Sequence, residues 1–271
     1  MITKEVSSLI RRVAETEILP RFRQLAIDDV HEKSEGELVT AADIAAEAAL
    51  FAGLTRILPE AGLVGEEASE ADPRLLEAAR EPGFAWMVDP IDGTAHFARG
   101  EGPFGTIVAL LKNGQTEASW IYLPLEEKMA TAQRGKGAFL NGEQPKRATS
   151  APVLRGALLT RFLPPTLRER VESSVDGLDL VAEQRCAAKR YVELLAGTES
   201  FALYYRTLPW DHAAGALLVQ EAGAVVRRFD GREYSPLDES SGLLVAASDE
   251  LWSDLHKKLL ADCDTESASK S

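Results

Sequence analysis

Cysteine and histidine are both scarce in this chain. Two cysteines, Cys186 and Cys263, stand in 271 residues, too few for a disulfide framework and in keeping with a reducing cytoplasm. Four histidines with no paired metal spacing argue against a zinc hydrolase. No apolar run approaches the length of a membrane span, and the N-terminus (Met1-Ile2-Thr3-Lys4-Glu5) lacks a signal-peptide core. A cytoplasmic location with no membrane partner is therefore expected. Basic residues are in deficit, 30 against 43 acids, for a formal net charge of −13. That balance argues against a nucleic-acid polymer as partner, and an anionic substrate would need local attraction, which bound cations supply. There is no internal repeat. The length suits one large domain or two joined halves around a well-buried core.

The most informative stretch present is Trp86-Met87-Val88-Asp89-Pro90-Ile91-Asp92-Gly93-Thr94. The apolar run Phe84 to Val88 reads as a buried strand that Pro90 stops. Asp89 and Asp92 are then predicted to project from a tight turn, with Gly93 and Thr94 offering backbone N–H groups to an anion. Two hard oxygen ligands beside an anion cradle suit a divalent metal with phosphate. The alternative is an Asp-Pro turn with solvated acids.

Further acids fall at similar places. Glu66 and Glu67 follow the apolar pair Leu63-Val64. Asp211 opens a predicted helix just after Pro209, and Asp43 lies near the start of another. Singly, Asp211 and Asp43 read equally as caps or first-turn acids that favour the helix dipole, and Glu66-Glu67 as a solvated loop pair. Together with the central stretch they form a metal-ligand pattern.

On these residues the chain resembles the inositol monophosphatase family, Mg²⁺-dependent, lithium-sensitive phosphomonoesterases related to fructose-1,6-bisphosphatase. The matching segments are Gly65-Glu66-Glu67, Asp89-Pro90-Ile91-Asp92-Gly93-Thr94, and Trp210-Asp211 with Ala213-Ala214-Gly215. Leu38-Val39-Thr40 with Asp43, and Gly135 to Phe139 with Asn141-Gly142, match as well. The resemblance implies an α+β fold, a layered αβαβα sandwich, and a homodimer. It implies that Glu66, Asp89 and the carbonyl of Ile91 hold one Mg²⁺, and that Asp89, Asp92 and Asp211 hold a second. A third, weaker metal lies near Glu66 in the family. Gly93 and Thr94 would bind phosphate through N–H groups. Thr94 with Asp43, or with Glu66, would orient the attacking water, and lithium would compete at the second site.

The chain departs from the family at its substrate end. Ala95-His96-Phe97 replaces the usual residues after Thr94, and His96 is expected to pack in its loop, or else to face the metal site. Where inositol-specific members carry an acid before Trp210, this chain reads Tyr204-Tyr205-Arg206-Thr207-Leu208-Pro209. Cys186 to Arg190 also differs. Arg206 and Arg190 are candidate contacts for an anionic leaving group, or else solvated charges. The expected partner is a small phosphorylated metabolite. Inositol phosphate is one candidate; a 3′-phosphonucleotide, histidinol phosphate or a sugar (bis)phosphate are others, as is a non-catalytic metal- or phosphate-binding role.

Apolar periodicity predicts a first helix through Val6, Leu9, Ile10, Val13, Ile18, Phe22 and Leu25, bent at Pro20, and a second over Ala41–Leu58. Short strands follow between Phe84 and Phe139, with hairpin signals at Asn113-Gly114 and Asn141-Gly142. A polar boundary near Pro145–Pro152 divides an N-terminal α+β half (1–148) from a C-terminal α/β half (149–262). That second half is predicted to hold a strand at Ala157–Thr160, a helix after Pro165, and helices at Cys186–Ala196 and Asp211–Glu221. A strand over Ala224–Phe229, another over Leu243–Ala247 and a last helix at Asp249–Leu260 complete it. A frayed polar tail (263–271) is expected to follow.

Overall fold

The computed structural model describes residues 2–34, 37–145, 154–182 and 184–260. Helix α1 (Ile2–Val13) precedes a hairpin of β1 (Val30–Ser34) and β2 (Glu37–Thr40), then helix α2 (Ala41–Ile57). Strand β3 (Gly62–Gly65) leads through α3 (Glu66–Ala71) and α4 (Leu75–Ala78) to β4 (Phe84–Asp92), followed by α5 (Thr94–Ala98). Strands β5 (Gly105–Lys112), β6 (Gln115–Leu123), β7 (Lys128–Gln133) and β8 (Ala138–Leu140) complete a six-stranded sheet in the order β3-β4-β5-β6-β7-β8. Only the β3–β4 pairing in it is parallel. Asn113 and Gly114 both take positive φ, 50° and 76°, the primed turn that closes β5 onto β6.

Beyond it lie β9 (Leu154–Leu158), α6 (Pro165–Ser173), β10 (Leu178–Leu180), α7 (Ala187–Ala196), β11 (Phe201–Tyr204), α8 (Pro209–Glu221), β12 (Val225–Arg228), β13 (Leu243–Ala246) and α9 (Asp249–Leu260). These strands form a five-stranded sheet in the order β10-β9-β11-β13-β12.

Side-chain alternation assigns the layers. In β4, Trp86 and Val88 point to a core shared with α1 and α2, while Ala85 and Met87 point to one shared with α7 and α8. In β11 and β13, Ala202, Tyr204, Leu243 and Val245 face that same middle layer. Phe201, Leu203, Leu244 and Ala246 face α6 and α9 on the outside. The period of two thus sorts each strand between two helical layers, giving helices, sheet, helices, sheet, helices: the αβαβα sandwich. No helix among the described residues is long and apolar enough to cross a membrane.

Two local expectations are corrected. The first helix does not bend through Pro20. α1 passes into a π-helical turn over Ala14–Ile18 and ends there, because Pro20 has no N–H to extend the ladder. Phe22 and Leu25 still pack on the same core. Nor does Pro90 stop its strand. β4 runs to Asp92, with its pairing to β5 shifted between Asp89 and Asp92. A bulge needs no ladder donor at the extra residue, so proline is tolerated there. The freed Pro90 carbonyl accepts the Thr106 hydroxyl at 2.9 Å.

The strand predicted at Ala157–Thr160 lies at Leu154–Leu158, and the β1–β2 hairpin, β10 and β11 were not anticipated. Apart from Pro145, the polar boundary lies outside the described residues, as do Cys263 and the tail.

Candidate active site

The β4 bulge points Asp89 and Asp92 toward one end of the six-stranded sheet. Gly93 follows at φ +90°, where an added Cβ would sit 2.8 Å from the Pro103 carbonyl oxygen. Only glycine fits there, and it turns the chain into α5 with Thr94 at its first position. Asp92 is fixed from the other side: the Ala188 N–H, at the start of α7, donates to its Oδ2 at 2.6 Å. Asp211 comes from the first turn of α8, begun by Pro209, as the missing proline N–H allows.

Glu66 begins α3, immediately after β3. Lys33 reaches from β1 to Glu66 at 3.2 Å and Glu67 at 2.5 Å, with 7% of its side chain exposed. Burial works against the ammonium charge, but the two glutamates outweigh it and hold the pKa of Lys33 above its ordinary value.

Asp43 caps α2 and reaches Thr94. Its Oδ2 accepts the Thr40 N–H at 2.8 Å and the Thr40 hydroxyl at 2.5 Å, a capping box that starts α2. Its other oxygen lies 3.3 Å from the Thr94 hydroxyl, which also donates to the Ile91 carbonyl at 2.9 Å. Burial raises the Asp43 carboxyl to about 7.

A cavity of about 160 Å³ joins Glu66, Asp89, Ile91, Asp92, Gly93, Thr94 and Asp211 with Arg206, Tyr204 and His212. Asp89 is 1% exposed, and its Oδ1 has no hydrogen-bond partner among the described residues. Burial, then Glu66, Asp92, Asp211 and Asp43, push its pKa well above the carboxylate range. Asp211 rises for the same two reasons, burial and then Asp92 and Glu66, and burial takes Asp92 to about 6. Converging carboxylates with a buried, unpartnered oxygen form a donor set of hard ligands that lacks only positive charge. Among the described residues no three acidic, histidine or cysteine side chains close on one ion position.

Two predicted residues stand elsewhere. Arg190, expected on the substrate side, is buried in an ion pair with Glu199 and donates to Gln184 at 2.8 Å; it is a core charge with its own partner. His96, expected in a loop, stands in the short helix α5, 3.0 Å from Arg99 and outside the cavity lining. Arg206 lines the cavity, paired with Glu37 and set 4.4 Å over the Phe162 ring.

Sequence reasoning missed Lys33, Glu37, Glu47 and His212. Glu47 of α2 accepts the N–H groups of Glu67 and Ala68 at 3.0 and 2.9 Å, which seats α3 and its Glu66. His212 Nε2 donates to the Arg206 carbonyl at 3.2 Å, leaving Nδ1 to accept the Tyr191 hydroxyl at 2.8 Å. A carbonyl only accepts, which fixes the tautomer. Burial lowers the imidazole to about 3, so the ring is neutral.

The family model described as "Inositol monophosphatase family" matches residues 2–268. The chain belongs to the inositol monophosphatase family. Among its relatives, Nus factor SuhB of Pseudomonas aeruginosa is 32% identical over 229 residues, 79% of this chain and 80% of that protein. The inositol-1-monophosphatase of Caulobacter vibrioides is 29% identical over 247 residues, 88% and 92% of the two chains. The solved Thermotoga maritima IMPase superposes with a TM-score of 0.78 at 24% identity, covering 95% of this chain and 98% of that one. That likeness establishes the inositol monophosphatase fold.

Proposed function

We propose that this chain is a Mg²⁺-dependent phosphomonoesterase that hydrolyses a small phosphorylated metabolite and releases inorganic phosphate. The observation that carries this reading is the set Glu66, Asp89, Asp92 and Asp211 around one cavity, with a buried Asp89 oxygen left unpartnered. Glu66, Asp89 and the Ile91 carbonyl would hold one ion, and Asp89, Asp92 and Asp211 a second; a third would sit by Glu66. Bound there, Mg²⁺ supplies Lewis-acid charge to the phosphoryl oxygens and lowers the pKa of a water.

The rest belongs to the chain's own groups. Gly93 and Thr94 offer backbone N–H groups to the phosphate at the start of α5. The Thr94 hydroxyl, held between the Ile91 carbonyl and Asp43, orients the attacking water together with Asp43 or Glu66. α7 holds Asp92 in place through the Ala188 N–H.

Sensitivity to lithium, cytoplasmic residence and a homodimer belong to the same proposal. They are supported by the family, by the clustered acids at the Asp92–Asp211 side, and by the scarcity of cysteine. Inositol 1-phosphate is the first substrate to try, given the relative named inositol-1-monophosphatase.

The test is phosphate release from a panel of monoesters with Mg²⁺, with Ca²⁺ and with chelator, beside Asp92→Asn. Mg²⁺-dependent release that Asp92→Asn abolishes, without loss of fold, is the expected result. No release from any ester would overturn the reading in favour of a non-catalytic binding protein. Lithium at tens of millimolar leaving turnover unchanged would remove the lithium-sensitive part alone.

A further inference from the structure

The cavity is acidic at depth and basic where it meets solvent. Its inner wall holds Glu66, Asp89, Asp92 and Asp211, while Arg161, Arg185 and Arg206 line it nearer the surface. In a chain of net charge −13, three guanidiniums converging on one opening run against composition. Arg185 is exposed. Arg161 and Arg206 both lie over the Phe162 ring, at 4.9 and 4.4 Å, and Phe162 is itself 41% exposed. The Phe162 ring thus gives both guanidiniums an aromatic face to rest on.

Arg206 is anchored directly to the acid wall. Its carbonyl accepts from His212 on α8, one residue past Asp211, so its stem is fixed relative to the acid wall. Its guanidinium pairs with Glu37 of β2, with 39% and 29% of the two side chains exposed. An ion pair this open is weak and exchangeable. A planar guanidinium fork matches the two oxygens of a carboxylate or phosphate.

We propose that the leaving group of the natural substrate carries a second anionic group, which Arg206 and Arg185 receive beside Arg161 and which displaces Glu37 from Arg206. This rests on the phosphatase reading for its chemistry and adds the class of substrate. A neutral polyol phosphate would bring no anion to Arg185 and would leave the Arg206–Glu37 pair in place.

The test uses matched esters. Glycerol 2-phosphate and 2-phosphoglycerate differ by a carboxylate on the leaving group; glucose 1-phosphate and glucose 1,6-bisphosphate differ by a phosphate. The anionic member of at least one pair is expected to have kcat/KM higher by about tenfold or more, mainly through KM. Which pair responds distinguishes carboxylate from phosphate. Arg206→Ala and Arg185→Ala should each narrow that preference, and Glu37→Gln should widen it, a direction that loss of a merely structural pair would not give.

Equal kcat/KM within both pairs overturns the inference, as does a preference untouched by Arg206→Ala or lowered by Glu37→Gln. If no ester is turned over, the phosphatase reading falls separately. Calorimetric titration of the same pairs then decides this one, with equal or absent binding overturning it.

Discussion

Glu47 accepts the backbone N–H of Glu67, 20 positions along the chain, at 3.0 Å. Its second oxygen takes the next N–H, from Ala68, at 2.9 Å. One buried carboxylate therefore serves the first turn of α3, where unpaired N–H groups and the helix dipole both favour an anion. Glu66, the first residue of that helix, is aimed by a side chain that does not itself reach the cavity.

Replacing Glu47 by glutamine keeps its shape but leaves one oxygen to serve two N–H groups and turns an NH₂ toward the other. A loss of about 1–3 kcal/mol is expected, with the Mg²⁺ concentration for half-maximal activity raised about tenfold, as for other groups that orient a ligand. Titrating activity against Mg²⁺ checks this; an unchanged midpoint would show that α3 seats itself.

Gly65 faces the same carboxylate. An added Cβ would collide with Glu47 Oε2 and Cδ and sit 2.8 Å from Phe51. Gly65→Ala is expected to cost about 1–3 kcal/mol through overpacking and to lower activity beyond that, because relief requires moving the start of α3. Melting temperature and turnover, measured together, separate the two effects.

Asp89→Asn removes one charge from a set whose members raise one another's pKa. Without divalent cation the variant should be more stable than the parent by about 1 kcal/mol, or roughly 2–4 °C in Tm. The rise in Tm that Mg²⁺ gives the parent should disappear. Equal melting of the two proteins in chelator would mean that the acids already share protons freely enough to relieve their repulsion.

Glu193 supplies a pH test away from the cavity. Although burial opposes it, hydrogen bonds from Lys189 and Thr198 hold its carboxyl down at about 2, against 4.5 unperturbed. A depressed acid contributes stability above its unfolded pKa and loses it as pH falls toward the folded value. Glu193→Gln should therefore cost about 1–2 kcal/mol at pH 7, after allowance for solvent screening. The difference should close between pH 4.5 and 2, as followed by urea unfolding.

His212→Leu would leave the Tyr191 hydroxyl and the Arg206 carbonyl without their partner. Stability should fall by about 1–3 kcal/mol, and KM should rise more than kcat falls as the Arg206 segment loosens. Tyr191→Phe is the milder control, since it spares the bond to Arg206.

What could be read from the chain beforehand follows the range of each interaction. The acids of Asp89-Pro90-Ile91-Asp92 and the glycine after them are neighbours in sequence, so their shared purpose was visible. Strand alternation and helical spacing likewise revealed most elements of both sheets. Glu47 was not visible, because an acid in an alanine-rich helix reads as a solvated face until Gly65 is packed against it. Lys33 and Glu37 escaped for the same reason, their partners lying 33 and 169 positions away. Arg190 misled in the opposite direction. Its cancelling acid, Glu199, is nine residues on, past the helix end at Gly197, where spacing along a helix gives no warning. Pro90 reads as a terminator in the sequence, since composition cannot distinguish the end of a strand from a bulge within it.

The acids around the cavity are divided by the strand order. Glu66, Asp89 and Asp92 precede β8, whereas Asp211 arrives on a helix lodged between the two sheets. A chain severed between β8 and β9 would yield two inert pieces, each with an incomplete set. Turnover regained on mixing them would report that the middle helical layer had re-formed, making this cavity a chemical counter for reassembly of split halves.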